Sequence, residues 1–315
     1  MTTVSVVISA YADERWDALV AAVESVRAQT RPAFETIIVV DRNPALLERA
    51  SRIPDVRAVE NIGTPGLGGA RNSGVEAARG DVVAFLDDDA VACEEWLDEF
   101  TRPYADPNVL GVGGSIEPRW ATARPSWFPE EFDWVVGCTY RGMPETGASV
   151  RNLIGCNMSY RREVLQELGG FRLGYGCDET DFCIRARRRW PAGELRYLPS
   201  AKVFHLVPSQ RARWRHFRTR CYFEGGSKAV VSWLLGAEDG LASERSYTLR
   251  TLPRGVARGL ADAARGDAGG AARAGAIVAG LGITAGGYLM GKLGVVDAAR
   301  RRGWTEDGGA TNGAF

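Results

Sequence analysis

Asp87, Asp88 and Asp89 follow the apolar run of residues 82–86 without a break. Like charges a few ångströms apart repel and raise one another's pKa unless a cation neutralises them. Oxygen ligands with open positions suit Mg2+ or Mn2+, and the oxygens of a diphosphate would complete either ion's shell. The competing reading is a solvated acidic turn capping a helix whose first turn holds Glu94 and Glu95. His205, one of two histidines, follows Val203 and Phe204 as a ligand at a strand end would. A neutral imidazole there would complete a metal site begun by Asp89; the alternative is a satisfied structural histidine. His216, set among Arg213, Arg215 and Arg218, reads as structural.

A second acidic group, Asp178, Glu179 and Asp181, stands at the start of a helical pattern, where the positive end of the helix dipole favours negative charge. One of these carboxylates is suited to take a proton from an attacking hydroxyl. The bland alternative is N-capping by Asp178 or Thr180. The segment Gly66-Leu-Gly-Gly-Ala-Arg71 invites a dinucleotide reading, which fails because Arg71 stands where the third glycine belongs. An arginine near a helix start instead contacts phosphate or the wall of a base pocket.

The elements that must position these residues form strand-helix-strand units. Strands are expected over residues 4–9, 36–40, 56–59 and 82–86, with helices over about 16–26 and 67–78. Asp41 and the three aspartates then fall at the carboxyl ends of strands, where open α/β sheets bind ligands. From about Pro103 the pattern loosens into glycine, proline and aromatic residues, and order returns with helices near 161–168 and through Arg189. A strand end is expected at 203–205, helices over 214–235 and much of 260–296, and no structure from 303 onward.

Residues 1–100 hold nine Lys and Arg against eighteen Asp and Glu, a net −9 that the remainder balances with +9. An acidic first third argues against nucleic acid as the partner, while the basic remainder suits phosphates or an anionic membrane surface. Six cysteines lie without a C-x-x-C pair, and the N-terminus lacks the basic start and apolar run of a signal peptide. The compartment implied is the cytoplasm. Residues 274–289 are uncharged and rich in small side chains, so a spanning helix there is a minority reading.

Taken in order, Val-Val-Ile-Ser-Ala-Tyr11, Ile-Val-Val-Asp41, Gly-Ala-Arg71-Asn72, Phe-Leu-Asp87-Asp-Asp89, Gly-Gly-Phe171 and Asp178-Glu179-Thr-Asp181-Phe resemble the family 2 glycosyltransferases of GT-A fold over residues 4–235. The resemblance implies an α/β fold with a mainly parallel central sheet flanked by helices, here with a C-terminal helical extension. It implies that Tyr11 lies against the nucleobase, that Asp41 hydrogen-bonds it and that Arg71 lines the same pocket. Asp87 and Asp88 would sit near ribose and metal, with Asp89 the direct ligand of a D-x-D motif and His205 near metal and diphosphate. The family's acidic helix-start pair is usually Glu-Asp, whose second acid is the base in inverting members. Here the pair is Asp178-Glu179, so Glu179 takes that place and Asp178 remains its rival.

The function expected is inverting transfer of a hexose-type unit from a nucleotide sugar, UDP first with dTDP or GDP open, to a small-molecule, glycan or lipid-linked acceptor. The expected division is a catalytic domain over 1–235, with a nucleotide half to about 115 and an acceptor half from 116, a helical region over 236–302 and a disordered tail over 303–315. Trp127 and Trp134, with Trp120 and Tyr140, are suited either to stack on an acceptor or to hold a long loop down. Five arginines within 211–220 precede the apolar stretch and suit either peripheral docking on a membrane or clamping of the donor diphosphate. A sugar-phosphate nucleotidyltransferase would need a glycine-rich loop after the first strand, where this chain reads Ser9-Ala10-Tyr11-Ala12-Asp13. A catalytically silent, donor-binding member would have no need of both acidic groups.

Overall fold

The computed structural model describes residues 2–172, 176–236 and 246–295. Its first half is the expected alternation: β1 (Val4–Ala10), α1 (Trp16–Arg27), β2 (Glu35–Val40), α2 (Pro44–Ala50), β3 (Val56–Glu60), α3 (Leu67–Ala77) and β4 (Val82–Asp87). There follow β5 (Ala90–Ala92), α4 (Trp96–Thr101), β6 (Val109–Trp120), a 3-10 segment (Glu130–Val136), β7 (Ala148–Ser149), β8 (Asn157–Arg161), α5 (Arg162–Glu167), α6 (Asp178–Arg189) and β9 (Glu194–Val207). The chain then turns helical in α7 (Trp214–Leu235), α8 (Leu252–Ala264) and α9 (Ala268–Met290).

Nine strands form one sheet in the order β3-β2-β1-β4-β8-β6-β9-β5, with β7 on β9. The run β3-β2-β1-β4 is parallel, and β8 then pairs antiparallel with both β4 and β6, so the whole sheet is mixed. Alternation along β1 feeds two cores. Val6 and Ile8 pack with Leu19 and Val23 of α1 and Trp96 and Phe100 of α4, while Val7 packs with Ile37, Val39, Val75 of α3 and Phe182 of α6. Burial on both faces is why these strands are nearly continuous apolar runs.

Beyond β4 the strands depart from the sequence expectation: β5, β7 and β8 are not among those expected, and β6 and β9 differ most. The loosened region contains β6, whose first eight residues are buried. Its glycines conceal it: a Cβ at Gly114 would lie 1.7 Å from the Ala201 carbonyl oxygen, so close strand approach has replaced the apolar signal. β9 runs for 14 residues rather than three, and Pro199 falls where its pairing with β6 shifts register. The acidic triplet does not cap the following helix, because β5 intervenes before α4.

The C-terminal helices lie on the same core, to which Leu252 and Ile277 contribute. α7 and α9 run in parallel register at close range. A Cβ at Gly225 would lie 2.1 Å from the Thr284 carbonyl oxygen, and one at Gly287 the same distance from that of Tyr222. The expected tail at 303–315 lies outside the described residues.

Candidate active site

The carboxyl edge of the parallel strands carries Tyr11 and Asp41 side by side. Ala10 pairs with Val40, and the Asp41 amide donates to the Ala10 carbonyl at 2.8 Å. Tyr11 is 57% exposed, with the Arg15 guanidinium over its ring 5.2 Å from the centroid. Asp41 is held by two donors: Asn61 Nδ2 reaches its Oδ1 at 2.7 Å and the Gly66 amide its Oδ2 at 2.8 Å. Gly66 has φ +106° at the start of α3, a conformation that suits glycine and aims its amide at the carboxylate.

Arg71, 4% exposed, projects from α3 toward the aspartates. Its Nη2 donates to the Gly155 carbonyl at 2.8 Å and lies 3.3 Å from Asp87 Oδ1. Among the acidic residues of this edge, its ion pair is with Asp87.

Asp87 ends β4, and Asp88 and Asp89 form the turn into β5. Both are buried, at 3% and 7% exposure. Arg15 Nη1 lies 2.7 Å from Asp88 Oδ1 and 3.1 Å from Asp89 Oδ2. His205 of β9, brought alongside by its pairing with Ala90, sets Nε2 3.1 Å from Asp89 Oδ1. Arg211 approaches Asp89 at 4.0 Å. Burial pushes the Asp88 carboxyl up to about 6 against the pull of Arg15. Burial pushes on Asp89 too, but the hydrogen bond and charge of His205, with Arg15 and Arg211, hold it below its ordinary value. Asp88 Oδ2 is buried without a hydrogen-bond partner, and such an orphan marks a place where another group completes the site.

Asp87, Cys156 and His205 each offer one ligand atom within 4.8 Å of the other two. With Asp89 bonded to His205, this donor set of carboxylates, imidazole and thiol fits a divalent ion. Arg15 and Cys156 were not singled out in the sequence. An arginine just past the first strand end was a usable signal for one, whereas Cys156 becomes visible only through the β4–β8 register.

α6 begins at Asp178 with Cys177 as its N-cap and no side-chain capping bond, so neither Asp178 nor Thr180 caps it. The three acids separate by environment. Asp181 is fully buried and accepts from Arg185 Nε at 2.7 Å, while Arg185 also donates to the Leu168 and Gly170 carbonyls. That is a clamp on the preceding loop. Asp178 Oδ1 is buried and unpartnered, and burial together with the charge of Glu179 pushes its carboxyl up to about 6, against Arg71. Burial also raises Glu179, again opposed by Arg71. Arg71 is thus the electrostatic link between the aspartates and the start of α6.

Trp127 packs edge-on against Trp214 and Phe217, with ring centroids 5.4 and 5.6 Å apart. Trp134 donates to the Tyr247 hydroxyl at 3.1 Å and packs on Phe132. Both rings hold the C-terminal helices to the sheet. His216 Nε2 lies 3.3 Å from the Val135 carbonyl oxygen, in keeping with its structural reading.

A family model for glycosyl transferase family 2 matches residues 5–169. The glucosyl-dolichyl phosphate glucuronosyltransferase of Haloferax volcanii is 36% identical over 245 residues, covering 73% of this chain and 78% of that protein. The pre-mycofactocin glycosyltransferase of Mycobacterium tuberculosis is 27% identical over 180 residues, 56% of this chain and 37% of that one. Among solved structures, the mannosyltransferase PcManGT of Pyrobaculum calidifontis, in complex with GDP-Man and Mn2+, superposes with a TM-score of 0.58 at 18% identity, over 89% of this chain and 86% of its own. GalNAc-T7 with UDP, GalNAc and Mn2+ gives a TM-score of 0.52 at 18% identity, over 66% and 43%. The fold is GT-A.

Proposed function

Because the chain belongs to glycosyl transferase family 2, we propose that it moves a sugar from a nucleoside diphosphate donor to an acceptor hydroxyl, with inversion at the transferred carbon. The observation that carries this reading is the carboxylate at the end of β4, with Asp87 3.3 Å from Arg71, together with the buried carboxyls Asp178 and Glu179 at the start of α6, both of which feel the Arg71 charge. One group suits donor binding and the other proton removal.

In this reading Tyr11 stacks on the base and the fixed Asp41 oxygens accept from its edge. Asp87, Asp89 and His205 would hold a divalent ion, Mg2+ or Mn2+, which would supply positive charge to neutralise the diphosphate. Asp88, bonded to Arg15, shapes the ribose side. Glu179 takes the acceptor proton, with Asp178 beside it as the rival base; burial raises both carboxyls, Asp178 to about 6, which suits a group that must hold a proton. Arg71, bonded to Asp87 and felt by Asp178 and Glu179, supplies positive charge where negative charge would move from acceptor oxygen to leaving diphosphate. The donor nucleotide is UDP by preference, with dTDP and GDP as alternatives, since the two fold neighbours carry GDP-Man and UDP.

The acceptor we propose is lipid-linked. The 36% identical relative is named for a glucosyl-dolichyl phosphate, and α9 turns an uncharged face outward through Gly275, Val278, Gly282, Ala285 and Leu289. By length and composition residues 268–294 could cross a bilayer. Its other face is fixed to α7 and to Phe132, which favours lying on a membrane at the cytoplasmic face over spanning it.

Calorimetric titration with UDP, dTDP and GDP, each with Mn2+ and again with EDTA, tests the donor site. Metal-dependent binding of one nucleotide, lost in Asp89→Ala, is expected. If none binds under any condition, the donor-site reading is wrong and a silent member of the fold becomes the better account.

A further inference from the structure

The proposed transfer makes no use of the Cys156 thiol, although it stands inside the donor set. Leu86 pairs with Asn157 in the β4–β8 ladder, so Cys156 lies across from Asp87. Its sulfur, a carboxylate oxygen of Asp87 and a ring nitrogen of His205 lie within 4.8 Å of one another. Cys156 is 5% exposed and His205 3%, so neither side chain is free to wander. The far side of the imidazole is also occupied by sulfur, with Cys138 Sγ 3.8 Å from Nδ1.

We propose that Cys156 is a metal ligand, its thiolate joining His205 and Asp87 in a sulfur, nitrogen and oxygen set that prefers a borderline-soft divalent ion such as Zn2+ or Co2+ to Mg2+. This rests on the reading that the aspartate turn holds a divalent ion, and moves its preference from the hard Mg2+ toward softer ions. Mg2+ is a hard ion that favours an oxygen shell, whereas thiolate and imidazole shift affinity toward later first-row metals. Bond lengths of about 2.0–2.3 Å put tetrahedral ligands roughly 3.3–3.8 Å apart, so the three atoms must close by about an ångström, a side-chain adjustment. The thiol proton leaves to solvent as the metal binds.

The test uses the full-length protein stripped with EDTA. Co2+ is titrated with absorption spectroscopy, and Co2+, Zn2+, Mn2+ and Mg2+ are each titrated calorimetrically, on wild type, Cys156→Ala, Cys156→Ser and Cys138→Ala. A thiolate-to-cobalt charge-transfer band is expected in wild type and in Cys138→Ala, and absent from both Cys156 variants. Zn2+ affinity should drop about tenfold to a hundredfold in those variants, in the range seen on losing a group that tunes a metal site, with a smaller change for Mg2+. Calorimetric Co2+ binding to wild type without the band, or a band that survives in the Cys156 variants, would overturn the proposal and leave the metal site standing. Failure of every divalent ion to bind wild type, with or without UDP, would instead remove the metal reading itself. Near-UV circular dichroism separates an unfolded variant from a folded one that lacks the ligand, and either folded substitution suffices.

Discussion

The Arg15 guanidinium sits 2.7 Å from Asp88 and reaches on to Asp89 at 3.1 Å, so a side-chain cation occupies the flank of the acidic turn where a metal would also bring positive charge. Two cations at one carboxylate compete. Arg15→Gln should therefore lower the stability in EDTA by about 1–2 kcal/mol once the partial exposure of Arg15 is allowed for, with a lower melting temperature, and tighten Mn2+ binding several-fold. Thermal melts with and without Mn2+ check both; a weaker Mn2+ affinity in the variant would show that Arg15 supports the ion.

Asp178 and Glu179 give a pH prediction whose sign is fixed. A base must be ionised, and the Asp178 carboxyl is pushed up to about 6 by burial and by Glu179. If Asp178 is the base, kcat/KM should fall as pH drops through about 6. Stability runs the other way: a folded pKa above the ordinary 3.8 stabilises the protonated fold at low pH. That contribution fades as pH rises through about 6. Glu179→Gln and Asp178→Asn assign the role, since the variant lacking the base should lose about 10²–10⁴ in kcat. Equal, small losses in both would remove these acids from the chemistry.

Membrane docking is tested on α9. Val278 and Leu289 are each 61% exposed on its outward face. Burying such a side chain contributes about 1.5–3 kcal/mol, so Val278→Asp with Leu289→Asp should abolish co-flotation with anionic vesicles while nucleotide binding persists. Unchanged flotation would move the contact elsewhere.

Glu131 is 4% exposed, and its carboxylate is paired with Arg258 of α8. Arg258→Ala strands that charge, at a cost of about 1–3 kcal/mol. Chemical denaturation should show the loss, and limited proteolysis should show earlier cleavage within the C-terminal helices. A neutral result would mean that solvent already screens Glu131.

The parallel half of the sheet was legible because local signals coincide there: buried runs such as residues 36–40 end at a carboxylate, and Gly66 marks the start of α3. Where strands press together through glycine, as Gly114 does against Ala201, packing replaced the apolar periodicity and β6 went unread. The acidic members of the site could be found singly for the same reason, each lying at the end of a regular element. Their partners could not. Arg15 meets Asp88 across 73 residues and Cys138 meets His205 across 67, distances that only strand register closes. Sequence also could not separate the acids of α6, which differ in what surrounds them: Asp181 Oδ2 accepts from Arg185, while the Asp178 carboxyl is pushed up by burial and by the charge of Glu179.

The backbone contact at Gly225 and Gly287 makes α7 and α9 one beam. Just ahead of α7, Arg211 stands 4.0 Å from Asp89, and the flank of α9 is the apolar face. Whatever surface α9 rests on becomes a floor, and the aspartate turn stands at a height above it set by the beam rather than by a hinge. If α9 rests on a membrane and the acceptor is lipid-linked, as proposed, such an arrangement would measure its acceptors. A hydroxyl carried at the right distance from its lipid anchor would meet Glu179, and one on a shorter or longer stalk would miss, giving selection by length before any sugar is recognised.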